Sequence, residues 1–121
     1  MEAIKKIYDL EERTFLFVKS IRGFVKRVYK SIWNNEDIKQ VVRSSGSVAA
    51  NYIEINENLG DKDLLMKLRI CKKEAKETIL WLRLLDIEDE ELVMERDNLI
   101  QEVTELKNIL GAIYKKRISN N

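Results

Sequence analysis

Residues 40–54 read Gln-Val-Val-Arg-Ser-Ser-Gly-Ser-Val-Ala-Ala-Asn-Tyr-Ile-Glu, a helical stretch whose middle holds Ser44, Ser45, Gly46, Ser47, Ala49 and Ala50. Small side chains let a neighbouring backbone approach, but they surrender the apolar area that a lone helix needs to hold itself in place. A stretch of this kind makes sense only when pressed between other helices. Arg43, Ser47, Asn51 and Glu54 follow one another at steps of four, four and three, so they form one polar stripe along it.

The rest of the chain reads as those other helices. Across 121 residues there is no proline, and glycine occurs only four times. That scarcity argues against a many-turned β-sandwich and for a few long helices. The length suits one domain with one core. A net charge of +1 excludes only a uniformly polybasic chain. The one cysteine, Cys71, has no intramolecular disulfide partner, which fits a reducing cytoplasm and a small buried hydrophobe. The stretch before Asp9 lacks the apolar segment of a signal peptide. No apolar run approaches the ~20 residues of a bilayer span. A cytoplasmic protein without membrane contact is expected.

Periodicity predicts four helices, over about 9–33, 36–59, 61–85 and 90–117. Asp9 and Glu12 make a capping box. Phe17, Ile21, Phe24, Val25, Val28 and Ile32 form the first apolar stripe, and Asn34-Asn35 reads as a break. Ile38, Val41, Val42, Val48, Tyr52 and Ile53 line the second, with Gly60 as its C-cap. Asp61 reads as the cap of the third, whose core is Leu64, Leu65, Leu68, Ile70, Cys71, Ala75, Ile79, Leu82 and Leu85. A turn with five acids in six residues, 86–91, precedes the fourth. There Leu99, Val103, Leu106, Leu110 and Ile113 make a heptad-like seam. Short connections between long helices lead to a single all-α domain, an antiparallel up-and-down four-helix bundle.

Two spaced motifs carry a family resemblance. Arg43-Ser44-x-x-Ser47-x-x-Ala50-Asn51-Tyr52-x-Glu54 is followed by Lys67-x-x-Ile70-x-x-Lys73-Glu74-Ala75-x-Glu77-Thr78-x-x-Trp81-Leu82-x-Leu84-Leu85. In this the chain resembles the bacterial "four helix bundle protein" family, whose founding members are encoded by intervening sequences in large-subunit ribosomal RNA genes. The resemblance is strong over the second and third helices and weaker over the fourth. It implies a four-helix bundle that assembles as a ring-shaped homopentamer. A distant relative is the accessory protein of diversity-generating retroelements, which binds a reverse transcriptase and nucleic acid. This chain has Asn51-Tyr52-Ile53-Glu54-Ile55 where the family commonly has Asn-Ile-Ala-Glu-Gly. It also lacks the basic cluster that many relatives place after the second helix.

The polar stripe admits two readings. It is a ligand site, or it is an interhelical network setting register, with Arg43 and Asn51 answering Glu74 and Glu77. Glu54, Glu74 and Glu77 invite a metal reading. Di-metal bundles normally add Glu-x-x-His pairs, and this chain has no histidine, so no metal or other cofactor is expected. The same absence removes the usual Ser-His and Cys-His nucleophiles, so no enzyme is expected. Residues 13–35 carry six bases and no acid, whereas 88–121 hold eight acids against five bases. Lys19, Arg22, Lys26, Arg27 and Lys30 are candidate phosphate contacts, with Lys72, Lys73 and Lys76 a second set on the third helix. RNA or DNA is then the partner, alongside a protein such as a reverse transcriptase. The alternatives are an ordinary solvated face, or charge complementarity between protomers in a purely protein-interaction module. Trp81 sits in a run, 79–85, that is apolar nearly all round, which points to a homo-oligomer interface there.

Overall fold

The computed structural model describes residues 9–57 and 60–119. They form α1 (Leu10–Val25), α2 (Ile32–Ile55), α3 (Asp61–Leu84) and α4 (Glu90–Ser119), with no strand among the described residues. Two acids open helices as side-chain caps. The Asp9 carboxylate accepts the Glu12 N–H at 3.3 Å, and the Asp89 carboxylate accepts the Leu92 N–H at 3.1 Å.

Pairs of touching residues run in opposite directions along neighbouring helices. Asn56 reaches Glu11, Arg43 reaches Glu74, and Arg13 reaches Glu102. α1 packs on α2 and α4, α3 packs on α2 and α4, and the diagonal pairs do not meet. The bundle is therefore antiparallel and up-and-down, as predicted. Its core holds Ile21 and Phe24 of α1, Val41 and Val48 of α2, Leu68 and Leu82 of α3, and Val103 and Leu106 of α4.

The most extensive packing is between α2 and α3, and it is built from small groups. Ser44 Oγ lies 2.7 Å from Thr78 Oγ1, both fully buried. Thr78 gives its one hydroxyl proton to the Glu74 carbonyl at 2.8 Å, so Ser44 is the donor to Thr78. The Cys71 thiol lies 3.5 Å from the Val48 carbonyl. Side chains no larger than these bring α2 and α3 together, and each buried hydroxyl is satisfied. Gly46 takes no part: a Cβ built there meets nothing within 4 Å.

Several helix boundaries differ from the prediction. The first helix ends at Val25, not near Trp33, and α2 begins at Ile32 under a Ser31 cap that accepts the Asn34 N–H at 3.0 Å. Asn34 therefore helps start a helix where the sequence suggested a break. Ile32, assigned to the core, is 77% exposed. α2 ends at Ile55, and the predicted end near Leu59 falls outside the described residues. Gly60 is the N-cap of α3 rather than the C-cap of α2, and Asp61 is the first residue of α3. There it sits at the positive end of the helix dipole, which explains why an acid is suited to that place. α4 extends to Ser119, slightly past its predicted end.

Candidate nucleic-acid interface and the polar stripe

The polar stripe of α2 is closed by α3. Arg43 Nη1 lies 2.9 Å from Glu74 Oε2, and its Nη2 lies 3.4 Å from Glu77 Oε1. Glu74 is buried, and a buried carboxylate needs such a partner. One turn on, the pairing departs from expectation. Asn51 donates to the Ser47 carbonyl and hydroxyl at 2.8 and 3.0 Å, and it does not reach Glu74 or Glu77. Lys67 lies 2.9 Å from Glu54 and 3.5 Å from the Asn51 side-chain oxygen. Glu54 thus turns to Lys67 while Glu74 and Glu77 turn to Arg43, so the three carboxylates do not converge as metal ligands would. The stripe is a chain of interhelical pairs, and its charges answer one another.

Nearby, burial pushes the Cys71 thiol up to about 12, outweighing the opposite pull of Lys67. Such a thiol is a packing group rather than a nucleophile at neutral pH.

The first basic set is partly spent inside the molecule. Arg27 pairs with Glu95 of α4. Lys30 Nζ donates to the Val25 and Val28 carbonyls at 2.8 and 2.7 Å, covering the end of α1. Lys19 lies over the Phe15 ring, 5.7 Å from its centre. Arg22 and Lys26 are exposed and make no ion pair among the described residues. Arg13 grips Glu102 with two hydrogen bonds of 2.8 Å and reaches Glu105 at 2.9 Å. Hydrogen bonding to Glu102 above all holds its guanidinium charge more firmly than usual. The acidic counterpart of α1 is therefore α4 of the same chain.

The second set clusters. Lys72, Lys73 and Lys76 line an open groove on α3 together with Lys62 and Arg69, and among the described residues no carboxylate lines it. Between these cations lie Leu65, Met66 and Ile70, and Tyr114 closes the groove from α4. The Lys72 stem crosses toward α4, passing 3.8 Å from where a Cβ on Gly111 would sit. Among the described residues, Lys73 alone of these cations has an ion-pair partner, Glu77, at 4.0 Å. The arrangement offers phosphate-binding ammonium and guanidinium groups around an apolar floor.

No family model matches the sequence, and no curated protein does. The chain is similar to a crystal structure of a protein of unknown function from the S23 ribosomal protein family of Bacteroides thetaiotaomicron. The TM-score is 0.75 and the identity 26%, over 91% of this chain and 98% of that one. The likeness runs through nearly the whole of both chains and ties this bundle to a small helical protein of ribosomal family name.

The run around Trp81, expected at an interface between copies, lies near the end of α3. Trp81 itself is half-buried against the core. Its indole N–H has no acceptor among the described residues. The unpartnered apolar surface beside it belongs to Leu80 and Leu84, 46% and 50% exposed. At the other end of the groove-bearing helix, Tyr29 and Trp33 stand exposed around a hollow rimmed by Asp86, Glu88 and Asp89. Sequence reading overlooked Lys62, although Lys62, Arg69 and Lys76 recur at steps of seven and so share one face of α3. Nothing local to α3 signals Tyr114, which arrives from another helix. Among the described residues, no helix is long and apolar enough to cross a membrane.

Proposed function

We propose that this protein is a non-catalytic bundle that assembles with copies of itself and holds nucleic acid in the α3 groove. The observation that carries this reading is the convergence of five cations on one open groove, with no lining carboxylate among the described residues. Ion pairing and capping weaken the candidacy of Arg27 and Lys30, so the weight moves from α1 to Lys72, Lys73 and Lys76. Self-assembly is supported by the exposed Leu80 and Leu84. The resemblance of the α2 and α3 motifs to the intervening-sequence-encoded family adds the expectation of a pentamer, and of a protein partner such as a reverse transcriptase. A ring of copies would repeat the groove around its rim and multiply a modest local field.

The test is binding of a short structured RNA at about 50 and 200 mM salt. Phosphate contacts predict affinity that falls steeply over that range. The double variant Lys72→Glu/Lys76→Glu is expected to weaken binding at least tenfold and to flatten the salt slope by about two. Affinity indifferent to salt, or an unaffected variant, would remove the reading. A second reading, a module that binds only protein, is favoured by exposed Tyr29, Ile32 and Trp33. It predicts no RNA retention at either salt concentration.

A further inference from the structure

We infer that the α3 groove takes an unpaired strand and discriminates against a duplex; this rests on the nucleic-acid reading above and narrows it. Lys62, Arg69 and Lys76 stand seven residues apart on a helix rising 1.5 Å per residue, so they form a straight row roughly 21 Å long. The backbone of a duplex winds about its axis, completing a turn in roughly 34 Å. It therefore curves away from a straight row well within that length. A single strand has no such constraint and can lie along it. At ~3.4 Å per stacked nucleotide the row spans about six.

The floor of the groove makes the same distinction. Met66 is 55% exposed, and Tyr114, half-buried, lines the groove from α4. A duplex turns phosphates outward and keeps its bases inside, so these groups would meet only charged backbone. An unpaired strand offers base faces, which stack on aromatic and apolar side chains while cations hold the phosphates. One groove supplies both kinds of contact, and both are used only when the bases are free.

The experiment measures fluorescence anisotropy of the full chain with a labelled 12-nucleotide oligouridine and with a blunt 12-base-pair RNA duplex, each at low and moderate salt. Tighter binding of the single strand, tenfold or more, is expected. Tyr114→Leu keeps the apolar packing of the α4 wall and removes the ring. Met66→Ser changes an exposed side chain and leaves the core untouched. Each is expected to weaken the single strand about fivefold with its salt slope unchanged, and to leave the duplex alone. Salt-sensitive binding of both probes with equal affinity, or indifference to both substitutions, overturns the inference while the nucleic-acid reading stands. Failure of both probes to bind at low salt overturns the two together.

Discussion

Asn34 does more than any other single side chain to hold two loops together. It is fully buried, and its Nδ2 donates to the Tyr29 carbonyl at 2.9 Å and the Asp86 carbonyl at 3.0 Å. Its Oδ1 accepts the Asp86 N–H at 2.9 Å. Two carbonyls and one N–H leave only one orientation for the amide. Asn34→Ala removes three bonds and strands their partners, so a loss of roughly 2–3 kcal/mol is expected in urea unfolding. Asn34→Asp should do no better, because a carboxylate cannot donate to the two carbonyls. Cys71 yields a pH prediction. Its folded thiol is held at about 12, above an ordinary value of 9.0. The folded state therefore keeps a proton that the unfolded chain gives up, and the associated stability is present below pH 9 and is lost as pH rises toward 12. Between pH 8 and 10 the wild type should lose more stability than Cys71→Ala; equal losses would contradict the burial argument. The sequence already suggested a buried Cys71, because it lies on an apolar face. The bridging role of Asn34 was not legible, because its partners come from residues 29 and 86 and no local pattern joins them.

At the scale of the helix, the small-residue centre of α2 was the most informative stretch, and its meaning was partly misread. Ser44 and Ser45 are fully buried, and α3 answers with Cys71, Ala75 and Thr78, all fully buried too. Close approach is thus achieved with hydroxyl and thiol groups. Gly46 faces open space, so its lack of a side chain serves no contact in this bundle. Gly46→Ala is expected to stabilise the protein by roughly 0.5–1 kcal/mol through helix propensity alone. A loss of stability instead would mean that something approaches this face. The apolar stripes located α3 and α4 well, because a core-facing helix must repeat its apolar residues at every turn. The α1–α2 connection was harder. Its signals, Lys30 folded back on carbonyls and Ser31 capping Asn34, are polar contacts between near neighbours that leave the apolar spacing almost unbroken through Ile32. The basic groove was half legible: the cations of α3 could be counted along one face, but which wall they shared with α4 depended on packing.

For the whole molecule, light-scattering mass measures assembly directly. A five-fold mass is expected from the family resemblance. Leu80→Glu/Leu84→Glu should lower it, since both side chains are about half exposed and neither belongs to the core. A monomeric wild type would end the assembly proposal and with it the interface assigned to this run. The likeness to the Bacteroides thetaiotaomicron structure extends across the fold and carries no activity with it, because that protein's function is unknown.

Charge is also sorted along two neighbouring helices. α4 carries its acids between Glu90 and Glu105 and its bases mainly at Lys115, Lys116 and Arg117, whereas α3 holds seven bases against four acids. α1 opens on Glu11 and Glu12 and carries Lys19 and Arg22 toward its end, so it runs from acid to base in the opposite direction from its neighbour α4. Just past α1, Arg27 pairs with Glu95 and joins the basic end of this helix to the acidic start of α4. Two opposed dipoles laid side by side make a quadrupole, whose potential falls away faster with distance than that of a charge or a dipole. Seen from afar, this molecule is nearly neutral. The cations of the α3 groove then act chiefly at short range, so a polyanion would be held on arrival more than drawn in from a distance.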